Sequence, residues 1–332
     1  MDEGRKMMKK LILKGTDLEL SNVCLGTANF GEKLTKEQAY EVLDTYVAAG
    51  GNFIDSANVY CKWIEELGNC SEQYLGSWLR DRKAYNKIVI ATKGGHYDFK
   101  APEISRVREE TIRADLEESL QTLGVDHIDF YWLHRDDESV DITEIVDIME
   151  TLVKEGKIRY YGASNYKQYR IEQAVSYAEE KGFQGFTAVS NQWSMARVNP
   201  GGNMNQDPSL VLMDSDYYQW HRRSKMPIIP FSSSAHGFFD KLDRKLKMAE
   251  DMKKAYMNQD NLEMYQTLCK LRKETGASLY ALSIAWLTNQ PFQTLPVAAV
   301  SRPEQLDDFV AASSLKLEKD VIEKYNNFSE SQ

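Results

Sequence analysis

A chain of 332 residues, 42% hydrophobic and 27% charged, has the composition of an ordinary globular protein that can bury a large core without disulfide or metal support. Its formal net charge of −9 argues against nucleic acid as a main partner, because phosphate binding needs a basic face, although a small local cluster of Lys and Arg can still hold a cofactor phosphate. The four cysteines, Cys24, Cys61, Cys70 and Cys269, form no CxxC pair and read as reduced thiols of a cytoplasmic protein, while the charged start MDEGRKMMKK leads into no signal peptide or membrane span.

In chain order, KLILKGTDLELS alternates around Gly15, Thr16 and Asp17 and is predicted to be a hairpin. Eight short β-rich runs follow: NVCLGTA, NFIDSA, KIVIATK, HIDFYWLH, KIRYYGASN, FTAVSNQ, MPIIPFSS and TLPVAAVS. Segments of helical period lie between them. TKEQAYEVLDTYVAAG has Thr35 as N-cap and Gly50 just past its end. SRVREETIRADLEESLQTLG carries Val107, Ile112, Leu116, Leu120 and Leu123 on one stripe and closes at Gly124, and ITEIVDIMETLVKEGK closes at Gly156. The polar run after the sixth strand begins as a Gly- and Asn-rich loop and continues as a helix. Its first part, 198–208, offers little apolar surface and two adjacent glycines, so it is expected to be mobile and to border the substrate site. EDMKKAYMNQDNLEMYQ and ETGASLYALSIAWLTNQ add at least one helix beyond a strand–helix repeat.

Strand and helix repeated eight times is the arithmetic of an α/β protein of the (β/α)8 TIM barrel type, with an N-terminal β-hairpin and extra helices. A doubly wound sheet would want GxGxxG after an early strand, and GTANFG lacks that spacing. No linker divides the chain, so residues 1–332 are expected to form one domain. The strongest functional signal lies at the strand ends. Asp55, Tyr60, Lys93 and His134 each sit in, or just past, an apolar run, where strands of a barrel open onto a shared site. An acid, a phenol, an amine and an imidazole suit proton transfer during carbonyl reduction. Tyrosine is a weak acid near pKa 10, a neighbouring Lys93 stabilises its phenolate and lowers that value, Asp55 anchors Lys93, and His134 orients the carbonyl oxygen. Singly these residues also read as a cap, a core aromatic or a paired buried charge. Cys61, Cys70 and His96 match no zinc spacing, so no metal is expected.

The set and its surroundings resemble the aldo-keto reductase family over nearly the whole chain, and the five-residue step from Asp55 to Tyr60 is that family's spacing. The resemblance implies a hairpin plugging the barrel bottom, the four residues as catalytic tetrad, and an NADP-dependent oxidoreductase acting on an aldehyde, ketone or sugar-like carbonyl, or on the alcohol. It also implies cofactor contacts at Gly26, Thr27, Ser164, Asn165 and Gln192, with Phe231 stacked on the nicotinamide and Ser232 and Ser233 at the pyrophosphate. At the adenosine end, Ser301 and Arg302 are candidates for the 2′-phosphate and Asp308 for the adenine. Gln305 stands where a common version of the family has arginine, and Ala299 and Val300 replace a Lys-Ser pair, which weakens the expected preference for NADP over NAD. A non-catalytic nicotinamide-binding module and a metal-dependent barrel hydrolase are the other readings; the second would need several ligands at strand ends from a chain with five histidines.

Overall fold

The computed structural model of the chain describes residues 7–202 and 207–326. The hairpin pairs β1 (Lys10–Ile12) with β2 (Glu19–Ser21), Leu11 opposite Leu20. A parallel sheet then runs through β3 (Cys24–Gly26), β4 (Phe53–Asp55), β5 (Val89–Gly94), β6 (Ile128–Leu133), β7 (Ile158–Ser164), β8 (Val189–Ser190) and β9 (Val297–Ala298), in the order β8-β7-β6-β5-β4-β3-β9. The gap between β8 and β9 is filled by the extended segment 226–231. Ile228 pairs with Val189 on one side and Thr294 on the other. The Ile229 amide donates to the Val189 carbonyl at 2.8 Å, and the Leu295 amide to the Ile228 carbonyl at 3.0 Å. The sheet is thereby curled shut as an α/β barrel with eight strand positions. The seventh position has a sparse ladder because Pro227 and Pro230 have no amide hydrogen to give.

Twelve helices follow from local signals: α1 (Lys36–Ala48), α2 (Cys70–Arg82), α3 (Glu109–Leu123), α4 (Ile142–Lys154), α5 (Gln168–Lys181), α6 (Ser215–Ser224), α7 (Phe238–Asp243), α8 (Glu250–Tyr256), α9 (Gln259–Thr275), α10 (Leu279–Thr288), α11 (Leu306–Ser314) and α12 (Lys319–Asn326). Thr35 caps α1 through a reciprocal pair of bonds with Gln38, and Gly124 ends α3 in the left-handed region at φ 71°. Helices α7, α8 and α9 are the additions to the repeat.

Strand alternation divides the core in two. Ile54, Ile90, Tyr131 and Leu133 face the helices in the outer layer. Phe53, Ala91, Phe130 and Trp132 face inward, where they pack with Ala188, Ile229 and Leu295 and with Leu13, Leu18 and Leu20 of the hairpin. The hairpin therefore plugs the barrel from its N-terminal end. Among the described residues no helix is long and apolar enough to cross a membrane.

Candidate active site

The inward-facing register that places Phe53, Ala91 and Trp132 in the barrel also places Asp55, Lys93 and His134 inside its C-terminal mouth, two residues further along each strand. A buried lysine needs compensation, and Lys93 has it on three sides. Its Nζ is ion-paired with Asp55 Oδ2, donates to the Ser56 carbonyl at 2.6 Å and donates to Tyr60 Oη at 3.1 Å. Tyr60 reaches this point from the turn after β4. Asn58 fixes that turn: its amide donates to the Lys93 carbonyl at 3.0 Å, and its side-chain oxygen accepts from Lys62 Nζ at 2.8 Å. The Tyr60 ring remains partly accessible while its hydroxyl end is enclosed.

The electrostatics follow from this packing. Burial works against the charge on Lys93, but Asp55 and Tyr60 outweigh it and hold the ammonium above its usual range. Burial likewise pushes Asp55 upward, opposed by Lys93, so the proton of the pair stays on the nitrogen. Burial also raises the Tyr60 phenol; Lys93 pulls it back, and Asp55 adds to the rise. The expected lowering of the Tyr60 pKa by Lys93 is thus corrected. Desolvation of the hydroxyl exceeds the effect of the cation, and the phenol keeps its proton at neutral pH.

His134 is 7% exposed, with its ring 6.1 Å from that of Tyr60. Burial, with Arg135, His96 and Lys93 nearby, holds it well below the usual histidine range, so it is neutral. Its Nδ1 is buried with no hydrogen-bond partner among the described residues, leaving Nε2 as the nitrogen able to meet a substrate oxygen.

The other sequence candidates lie along a line from this mouth. Gly26 packs so closely on β9 that a Cβ there would sit 2.8 Å from Val297 Cγ1. Thr27 is fully buried and its hydroxyl donates to the Asp55 carbonyl at 3.1 Å, so it supports the strand carrying the acid. The Asn165 amide donates to the His134 carbonyl and to Ser164 Oγ, and its oxygen accepts from the Val211 amide at 3.1 Å. Gln192 is buried beside Tyr256. Phe231 is half-buried and held by backbone bonds to Asn191 and Trp193. Ser232 Oγ lies 3.4 Å from His236 Nε2, while Ser233 donates to the Pro230 carbonyl. At the far end an open cleft is lined by Arg302, Glu304, Gln305 and Asp308. There Gln305 accepts from the Ser301 amide at 2.8 Å, and Asp308 accepts from Ser278 Oγ at 2.6 Å. Arg302 is exposed.

Sequence reasoning missed a second group at the mouth. Arg135 Nη2 donates to Asp207 Oδ2 at 2.8 Å, Arg135 Nη1 to the His134 carbonyl at 2.8 Å, and Tyr97 Oη to Asp207 Oδ2 at 3.0 Å. Burial would raise Asp207, but Ser209 and Arg135 bring it down to about 2. His96 stands beside His134, its ring centre 4.8 Å away. Its one sequence signal was the pair Gly94-Gly95 that turns the chain after Lys93. A Cβ on Gly94 would sit 2.0 Å from Tyr131 Oη, and Gly95 has φ +73°. Cys61 and Cys70 lie elsewhere, both donating to the Phe30 carbonyl, and among the described residues no set of His, Cys, Asp and Glu is placed to hold a metal. Residues 203–206 of the expected mobile loop lie outside the described residues. Its described ends are pinned: the Asn199 amide donates to the Ala255 carbonyl at 2.7 Å, and Asp207 bonds Arg135.

Comparison with known proteins adds a family. Residues 22–330 match the model of the Aldo/keto reductase family. An uncharacterized oxidoreductase of Bacillus subtilis is 27% identical, with 96% of this chain and 95% of that protein covered. An aldo-keto reductase of Emericella nidulans is 27% identical over 92% of this chain and 77% of its own length. A putative aryl-alcohol dehydrogenase of Saccharomyces cerevisiae is 27% identical over 95% of this chain and 84% of its own.

Proposed function

Because the chain belongs to the aldo/keto reductase family, we propose that it interconverts a carbonyl compound and its alcohol with a nicotinamide dinucleotide, NADP(H) in preference to NAD(H), and that Tyr60 carries the proton. One observation carries this reading: Lys93 Nζ meets Asp55, the Ser56 carbonyl and Tyr60 Oη at once, an arrangement that a binding module without chemistry has no use for. The relatives described as an aldo-keto reductase and an aryl-alcohol dehydrogenase support it.

In the reducing direction, a substrate oxygen at the mouth is held between Tyr60 Oη and His134. The neutral His134 orients it without competing for the proton. Tyr60 starts protonated, as its burial dictates, and gives its proton to the oxygen as charge develops there. The phenolate that remains faces the Lys93 ammonium, which Asp55 keeps in place. In the oxidising direction Tyr60 takes the proton back. A bound nicotinamide supplies or accepts the hydride. The donor set fits such a cofactor: Ser164 and Gln192 at strand ends can meet a carboxamide, Phe231 shows part of its ring, and Arg302 stands exposed in a cleft large enough for an adenosine end. Ser233 and Thr27 have their hydroxyls committed to backbone carbonyls, so of these residues Ser232 is the freer one for a pyrophosphate.

The test is oxidation of NADPH and of NADH by the purified protein with a panel of aldehydes and ketones. Turnover with NADPH exceeding that with NADH is expected. Binding of the cofactor with no turnover of any carbonyl or alcohol would point instead to a regulatory module.

A further inference from the structure

His96 is a buried imidazole at the mouth that the chemistry above does not use. Its Nδ1 lies 2.8 Å from the Tyr97 carbonyl oxygen. A carbonyl only accepts, so Nδ1 must carry the ring hydrogen. Burial and the Arg135 charge bring its pKa down to about 4, so at neutral pH the ring has one hydrogen and it is spent on Tyr97. Nε2 is therefore a bare acceptor. It has no hydrogen-bond partner among the described residues, and it is not sealed from solvent.

The position of this lone pair limits what can use it. The ring centres of His96 and His134 are 4.8 Å apart, inclined at 67°. If, as proposed above, His134 and Tyr60 hold the carbonyl oxygen, a donor reaching His96 sits on the carbon next to the carbonyl. Two oxygens on adjacent carbons match two imidazoles at that spacing, each oxygen with its own ring. Beyond His96 the mouth is aromatic. Phe99 lies 5.3 Å from His96, Trp63 lies 6.3 Å from Phe99 at 89°, and Trp63 lies 6.3 Å from Tyr60. Trp63 and Phe99 are 41% and 42% exposed, an uncovered wall that suits a flat apolar group.

We propose that His96 is a specificity-determining residue that accepts a hydrogen bond from a hydroxyl on the carbon adjacent to the substrate carbonyl, so that the site selects α-hydroxy ketones and aldehydes bearing an aryl or similar flat apolar group. The neighbouring imidazole leaves the carbonyl oxygen to His134 and reads the hydroxyl instead. An analogue that lacks the donor leaves Nε2 unpaired as the substrate displaces water, which is a larger loss than the missing bond alone.

A matched pair of ketones tests this: 2-hydroxyacetophenone and its methyl ether, 2-methoxyacetophenone, each with NADPH. The ether keeps the ring, the oxygen and its electron withdrawal and loses only the donor. The parent should prefer the hydroxy ketone in kcat/KM by about tenfold, the range of one net hydrogen bond. His96→Leu should bring that ratio close to one, mainly through KM for the hydroxy ketone. His96→Gln, whose amide oxygen also accepts, should restore part of it and shows that the loss is not one of folding. An unchanged ratio in His96→Leu, or a parent that turns over the two ketones equally, overturns the role of His96 while leaving carbonyl reduction standing. A parent that reduces neither ketone nor any simple aldehyde removes the carbonyl-reducing role, and this selectivity with it.

Discussion

At one end of the groove, Asp55, Lys93 and His134 are buried at the ends of β4, β5 and β6, and Lys93 is held by three partners. At the other, Ser301 and Arg302 are exposed on a short turn before α11, where Gln305 is bonded back to Ser301 and Asp308 to Ser278. The first end is fixed by the barrel, because moving any of the three side chains would move a strand or strand a buried charge. The second is set by one turn, which can change residue by residue without disturbing the chemistry. Choice of cofactor phosphate is thus separable from proton transfer in this molecule, and variants at the two ends should fail in different ways.

The largest effect belongs to Lys93. Lys93→Met removes the cation that faces the phenolate and leaves Asp55 buried without its partner. Turnover at neutral pH should fall by about 10²–10⁴-fold, with NADPH binding changed far less. Equal losses in binding and turnover, measured by fluorescence titration and steady-state rates, would erase the distinction between the two ends.

Asp207 sharpens the comparison at the rim of the catalytic end. Its folded pKa of about 2 lies below the ordinary value of 3.8. A depressed carboxylate contributes stability that is present above the unfolded pKa and lost as pH falls through the folded one. About 2 kcal/mol of stability should therefore disappear between about pH 4 and pH 2. In urea unfolding, Asp207→Asn should be less stable than the parent at pH 6, and the gap should narrow by roughly that amount at pH 2. A gap independent of pH would mean that Arg135 and Ser209 do not hold this carboxylate charged.

The smallest effect is expected at the open end. Arg302 is exposed, so its bond to a 2′-phosphate is worth about 1.5 kcal/mol, the lower part of the range for a charged hydrogen bond. Arg302→Ala should lower the NADP-to-NAD ratio of kcat/KM about tenfold and leave kcat with saturating NADPH near the parent value. No change in the ratio would move the phosphate site away from Arg302.

The two ends also differ in how far the sequence discloses them. NFIDSA, KIVIATK and HIDFYWLH carry Asp55, Lys93 and His134 at positions whose alternation with Phe53, Ala91 and Trp132 dictates the inward face. Thr35, Gly124 and Gly156 mark helix ends by local chemistry and need no tertiary context. The seventh strand is weaker than its apolar run implies, because Pro227 and Pro230 thin its ladder. What the sequence hides is long-range approach. Arg135 and Asp207 are 72 positions apart and meet only because a loop folds back over the mouth. His96 beside His134 depends on two neighbouring strands ending at the same height, which no local pattern records. The direction of the Tyr60 shift is hidden too, since residue identity discloses the cation but not the depth of burial that outweighs it.

The central claim is that Tyr60 supplies the proton at the barrel mouth without forming part of the cofactor's binding site. Single-turnover oxidation of NADPH by Tyr60→Phe with a simple aldehyde, with NADPH affinity measured on the same preparation, tests it most directly. The ring and its packing stay, and only the hydroxyl that meets Lys93 Nζ is lost. The account predicts a rate at least about 10²-fold below the parent with cofactor affinity essentially retained. A rate near that of the parent would contradict it.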